Sequence, residues 1–192
     1  YENHSLLLHN TFHIDCAAKY FTEVNSLEAL LELQQSHVFK TNELLMLGGG
    51  SNILFTKNFN GLVVKNSLLG KELVKEDAEH YYVKIGAGEV WHDFVLWCIA
   101  NNYSGVENLS LIPGRVGASP MQNIGAYGVE IKDGGRSIVV PVMYGTNSTV
   151  QPFAGTDVLD LTYQEGIDAA EYTWSNYNVS IVISLDDELR NS

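Results

Sequence analysis

The sequence predicts an α+β protein built in two lobes. Three observations carry that reading. Apolar runs of strand length alternate with two stretches patterned as helices. Glycine clusters follow directly on two of the predicted strands. A long stretch, residues 103–130, is rich in Gly, Asn, Ser and Pro and shows neither period. Residues 1–70 form the first expected lobe, with a β-α-β-β order, and residues 71–192 the second.

Each element has its own justification. Residues 1–24 mix polar and aromatic side chains and read as extended. Asn25 with Glu28 predicts a capping box, and a helix from Ser26 to about Ser36 carries Leu27, Leu30, Leu31 and Gln34 on one face. Leu44 to Leu47 is a short buried strand that runs into Gly48-Gly49-Gly50-Ser51-Asn52, and the apolar run Ile53-Leu54-Phe55 follows. Gly61 to Val64 is the next strand. In the second lobe, Tyr81 to Ile85 is a strand ending at Gly86-Ala87-Gly88. A helix from about Val90 to Asn101 offers Val90, Trp91, Phe94, Val95, Trp97, Cys98 and Ile99 to a core. Ser137 to Tyr144 and Val179 to Leu185 are further strands.

Composition narrows the function. The chain has 192 residues, 45% apolar, with 17 glycines and 4 prolines, which suits a packed core with tight turns. The net charge of −12 argues against nucleic acid as a partner, because phosphate backbones require clustered Lys and Arg. An acidic chain that binds an anionic ligand must use backbone N–H groups or a few placed cations. Cys16 and Cys98 lack metal-ligand spacing and read as reduced core thiols of a cytoplasmic protein. The six histidines show no ligand spacing either, so no metal is expected. No apolar run reaches the ~18 residues of a membrane span, and no signal peptide is visible. The chain opens at Tyr1 rather than Met, which predicts a fragment of a longer protein.

Two loops could carry chemistry. In Gly48 to Asn52, glycines permit positive φ and bring N–H groups close to a ligand, while Ser51 and Asn52 add side-chain donors. Such a turn makes an anion nest able to seat a pyrophosphate without Lys or Arg. A plain glycine-rich hairpin explains the turn equally well. It is neither G-x-G-x-x-G opening a helix nor a P-loop. The second loop, Ile112 to Gly128, alternates small and hydrogen-bonding residues. Gly114, Gly117, Gly125 and Gly128 permit close backbone approach. Ser119, Gln122 and Asn123 can donate to phosphate or to the polar edge of a ring, Tyr127 can stack, and Arg115 is its one cation. Trp91 reads as core rather than as a cofactor stack.

Leu47 to Phe55, Gly86 to His92, Gly105 to Leu109 and Ile112 to Glu130 together resemble the flavin half of the UDP-N-acetylmuramate dehydrogenase family, also called UDP-N-acetylenolpyruvoylglucosamine reductases. Asn3 to Leu6 and Asn10 to Asp15 fit its N-terminus, so the motifs run in order over residues 3–131. The resemblance implies the two-lobed FAD-binding fold of the vanillyl-alcohol oxidase type, with FAD as cofactor and NADPH as co-substrate. It implies reduction of the enol ether of UDP-N-acetylglucosamine-enolpyruvate, a small nucleotide-sugar substrate, by a cytoplasmic monomer with no membrane partner. By motif, Gly48, Gly49, Gly50, Ser51 and Asn52 hold the pyrophosphate. Pro113, Gly114, Ser119, Pro120, Gln122, Asn123, Gly125 and Tyr127 line the flavin.

The likeness fades after Glu130. The family's Gly-Tyr-Arg-x-Ser-x-Phe segment has its nearest counterpart in Thr162 to Ile167. Tyr163 stands at the tyrosine and is the candidate catalytic residue, but Gln164 stands at the arginine, which removes a charge and a bidentate fork. The substrate lobe is expected to be missing from this chain. Alternatives to a reductase are an FAD-binding module without reductase activity and an oxidase of the wider flavin superfamily.

Overall fold

The computed structural model describes residues 1–78, 80–119, 123–131, 138–139 and 180–186. The chain divides into two compact units, Tyr1–Leu68 and Leu69–Ser192. The expected strand Ser137 to Tyr144 falls largely outside the described residues; within it, Ile138–Val139 is strand.

The N-terminal unit holds a four-stranded sheet. Its strands are β1 (Glu2–Ser5), β2 (Ala17–Val24), β3 (Leu44–Leu47) and β4 (Phe59–Asn66), in the order β1-β2-β4-β3. β1 and β2 are antiparallel, whereas β2 and β3 both run parallel to β4. Parallel strands require crossover connections: α1 (Leu27–Gln35) and α2 (His37–Thr41) link β2 to β3 on the far side of β4, and residues 48–58, with no helix, link β3 to β4. β4 is the inner strand, and its run Gly61-Leu62-Val63-Val64 is buried throughout, as a strand covered on both faces demands. The core contains Leu6, Cys16, Ala18, Phe21, Leu47, Phe55 and Val63.

Three expectations for this unit need correction. The helix cap is Ser26, not Asn25: Ser26 is extended and its side chain accepts the Ala29 N–H at 3.2 Å. Of the expected helix face, Leu30 is buried while Leu31 is exposed. Leu44 to Leu47, expected as a buried strand, lies at the sheet edge: Leu47 alone of the four is buried and Met46 is 37% exposed. In the apolar run that follows the glycines, Phe55 is buried, Ile53 packs half-buried on the core and Leu54 is 63% exposed.

In the C-terminal unit, β5 (Lys71–Glu76), β6 (His80–Gly86), β9 (Ile138–Val139) and β10 (Ser180–Asp186) make an antiparallel sheet in the order β5-β6-β10-β9. A two-residue pair, β7 (Gly125–Ala126) and β8 (Val129–Glu130), stands apart. On β6, Tyr81, Val83 and Ile85 are buried in alternation. They pack in one core with Trp91, Phe94, Val95 and Cys98 of α3 (Trp91–Ala100). Those four positions recur at i, i+3, i+4 and i+7, the stripe a half-buried helix shows. Ile99, expected inside, is 50% exposed. Trp91 is core as expected, and its Nε1–H donates to Leu109 O at 2.7 Å. Cys16 and Cys98 are free and buried.

Candidate functional site

The glycine turn of the N-terminal unit follows directly from β3. Of its three glycines, Gly50 takes a left-handed φ of +67°. A Cβ built on Gly50 would lie 2.1 Å from His9 O and 2.9 Å from Asn10 Cα, so no other residue fits without displacing backbone. The expected run of positive-φ glycines is therefore narrower: tertiary contact singles out Gly50. The Gly50 carbonyl accepts the Thr11 N–H at 3.1 Å and Thr11 Oγ1–H at 3.3 Å. Gly49 and Asn52 are exposed, and Gly48 and Ser51 are half-buried.

The chain that backs this turn is itself braced by Asn10, a residue the sequence did not single out on its own account. Asn10 is 4% exposed. Its Nδ2 donates to Leu6 O at 2.7 Å and Ile14 O at 3.1 Å, and its Oδ1 accepts the Ile14 N–H at 3.0 Å. A fully bonded buried amide of this kind fixes a loop in one conformation. Beside it, His9 Nε2 lies 3.2 Å from His4 Nε2, and the His4 ring stacks on Phe21. Burial, then the charges of Lys65 and His4, lower the His9 pKa against a raising effect of Glu23.

In the C-terminal unit, residues 114–119 lie against the turn between β6 and α3. Trp91 N–H donates to Gly114 O, Val116 N–H to Glu89 O and Gly117 N–H to Ala87 O, at 2.9 to 3.1 Å. Arg115 Nη1 donates to Gly88 O at 2.9 Å. Gly117 is needed for this approach, since a Cβ there would sit 2.7 Å from Ala87 Cβ. Ser119 is 1% exposed, and its hydroxyl donates to Val116 O at 2.7 Å. Its proton is thus committed within the loop, and its lone pairs are what it could offer a ligand.

Further along, Asn123 takes φ +43° and its Nδ2 donates to Glu130 Oε2 at 2.7 Å. Among the described residues, Asn123 Oδ1 is the buried side-chain atom without a hydrogen-bond partner. Gly125 begins the β7–β8 hairpin, whose tip is Tyr127-Gly128, both at positive φ as a type I′ turn requires. Tyr127 is 95% exposed and Pro113 is exposed. Pro120, Gln122, Tyr163 and Gln164 lie outside the described residues. His92, in the first turn of α3, accepts the Leu111 N–H at Nδ1 and lies 3.1 Å from Ser110 Oγ. No group of three or more metal-ligating side chains occurs among the described residues. No helix among them is long and apolar enough to cross a membrane.

Each unit holds a feature that a ligand could engage. In the N-terminal unit Gly50 packs directly on the His9 carbonyl, which fixes the turn, and in the C-terminal unit the orphaned Asn123 Oδ1 fits a ligand N–H. Residues 18–146 match the FAD binding domain family, and the chain belongs to that family. FAD is the family's cofactor.

Named relatives sharpen the class. The chain is 53% identical over 131 residues to the UDP-N-acetylenolpyruvoylglucosamine reductase of Flavobacterium johnsoniae, covering 68% of this chain and 38% of that protein. It is 51% identical over 132 residues to the same-named protein of Bacteroides fragilis, covering 69% of this chain and 40% of the relative. The crystal structure of the reductase (MurB) from Thermus caldophilus superposes with a TM-score of 0.51 at 26% identity, over 67% of this chain and 44% of that one. The chain therefore spans about two fifths of the length of the curated relatives it matches.

Proposed function

We propose that this chain is the FAD-binding part of a UDP-N-acetylenolpyruvoylglucosamine reductase. The whole protein would reduce UDP-N-acetylglucosamine-enolpyruvate to UDP-N-acetylmuramate with NADPH, on a two-lobed scaffold of the vanillyl-alcohol oxidase type. The observation that carries this reading is the 53% identity to a named reductase. Bound FAD supplies a hydride acceptor for NADPH and a hydride donor for the enol ether.

The chain's own residues bind and orient. Gly48, Gly49, Gly50, Ser51 and Asn52 hold the pyrophosphate through N–H groups and short donors, which suits a chain of net charge −12. Pro113, Gly114, Ser119, Pro120, Gln122, Asn123, Gly125 and Tyr127 line the flavin, with Asn123 Oδ1 accepting from it. Tyr163 is the candidate active-site residue. Two free, buried thiols support a cytoplasmic setting. A second reading, an FAD module without reductase turnover, is favoured by Gln164 at the family's arginine position.

Visible spectra of the purified chain, alone and joined to a substrate lobe, separate these readings, FAD uptake being read on the first and turnover on the second. A flavin band that bleaches on NADPH and returns on adding the enolpyruvyl substrate supports the reductase. A band without substrate turnover leaves the module, and a chain that takes up no FAD overturns both.

A further inference from the structure

Among the described residues, Glu89 is the one buried acidic or basic side chain, 9% exposed. Withdrawing a carboxylate from water is costly unless its oxygens are bonded. Here both are. Oε1 accepts the Gly70 N–H at 2.9 Å, and Oε2 accepts from Lys71 Nζ at 2.6 Å. Burial pushes the Glu89 pKa up; the bonds from Lys71 and Gly70, with the charges of Lys71 and Arg115, outweigh it and hold the pKa below the ordinary value.

The side chain thereby pins its own backbone. That backbone is the acceptor row for residues 115–117. Gly88 O takes Arg115 Nη1–H, Glu89 O takes the Val116 N–H, and Ala87 O takes the Gly117 N–H. Glu89 thus joins three stretches distant in sequence: the start of β5, the β6–α3 turn and the loop that continues to Ser119.

We propose that Glu89 is a positioning residue for the cofactor. Its ionised carboxylate, gripped by Gly70 and Lys71, fixes the acceptor row on which residues 114–119 hang, and so sets the affinity for FAD. This rests on the reading of residues 113–127 as flavin-lining.

The test uses the full chain with Glu89→Gln, which keeps shape and an acceptor for Gly70 N–H but removes the charge. Two quantities are measured: amide exchange of Val116 and Gly117 without FAD, and the Kd for FAD by fluorescence titration. Exchange at both amides should rise, and FAD should bind about tenfold more weakly. Adding Lys71→Met should recover part of both losses, because it removes the uncompensated ammonium. Unchanged exchange overturns the proposal. Raised exchange with unchanged FAD affinity makes Glu89 a fold staple only, and also overturns it. A wild-type chain that takes no FAD overturns the flavin reading, and the positioning role with it, while the exchange data still report the clamp.

Discussion

In the N-terminal unit the Gly48–Asn52 turn is backed by neutral groups; in the C-terminal unit residues 114–119 hang on a row anchored by an ionised carboxylate. Gly50 rests against the His9 carbonyl, and Asn10 braces that loop with three amide hydrogen bonds. Glu89 anchors its row through Lys71 and Gly70. The neutral brace depends on shape, so a single added carbon defeats it. The ionic brace depends on charge, so removing a proton acceptor's charge defeats it without any change in shape. The two segments, each within its own unit, are therefore vulnerable to different perturbations.

The largest effect should come from Gly50→Val. Its side chain would collide with main-chain atoms that cannot swing aside, and a β-branched residue at φ +67° is strained in addition. A loss of about 4 kcal/mol is expected, together with loss of FAD retention. Yellow protein recovered from this variant would show that the turn does not seat the cofactor. Asn10→Ala should follow at about 2–3 kcal/mol, since it leaves the Ile14 N–H and carbonyl without their partner. Denaturant unfolding measures it. A cost below about 0.5 kcal/mol would mean that water replaces the amide and that the brace is not built by Asn10.

How much of this was legible in the sequence depends on the range of the forces involved. The Tyr81 strand and the Trp91 helix were readable because their apolar periods are local; Leu44 to Leu47 was readable as a strand from its unbroken apolar run, but not its half-exposed place at the sheet edge. β5 (Lys71–Glu76) was not. As an edge strand it turns Leu73 inward but carries Lys71, Glu72, Lys75 and Glu76, so the alternation is submerged in charge. The cap was misplaced because Asn25 and Ser26 are both competent acceptors, and backbone geometry decides between them. The glycine turn was legible as a motif, yet which glycine is indispensable follows from its contact with His9, remote in the chain. Asn10 and Glu89 carry no local signal of their bracing roles. Their partners are fixed only once the chain has folded.

Titration sharpens the contrast between the two braces. His9 keeps a lowered pKa in the folded state, caused by burial and then by Lys65 and His4. The unfolded chain therefore binds the proton first, and stability is lost as pH falls below the ordinary imidazole value of 6.5. Glu89 is also lowered, so its contribution is complete above the ordinary carboxylate value of 4.5 and is lost only as pH falls through its own lower pKa. Amide exchange followed from pH 7 downward should loosen Thr11, bonded to Gly50 O, before Val116 and Gly117. Simultaneous loosening would mean that the two braces respond as one.

The smallest expected effect, and the most discriminating for the flavin reading, is Ser119→Ala. The hydroxyl donates to Val116 O, but that carbonyl also accepts the Ser119 N–H at 3.0 Å, so it is not orphaned by the change. The stability cost should stay near about 0.5–1 kcal/mol. FAD affinity responds differently according to what the hydroxyl's lone pairs do. If they accept from the flavin, the Kd should rise by more than the stability loss accounts for. If Ser119 merely tightens its loop, affinity should stay within about twofold of wild type. The latter result would move Ser119 out of the cofactor set while leaving the Glu89-anchored row intact.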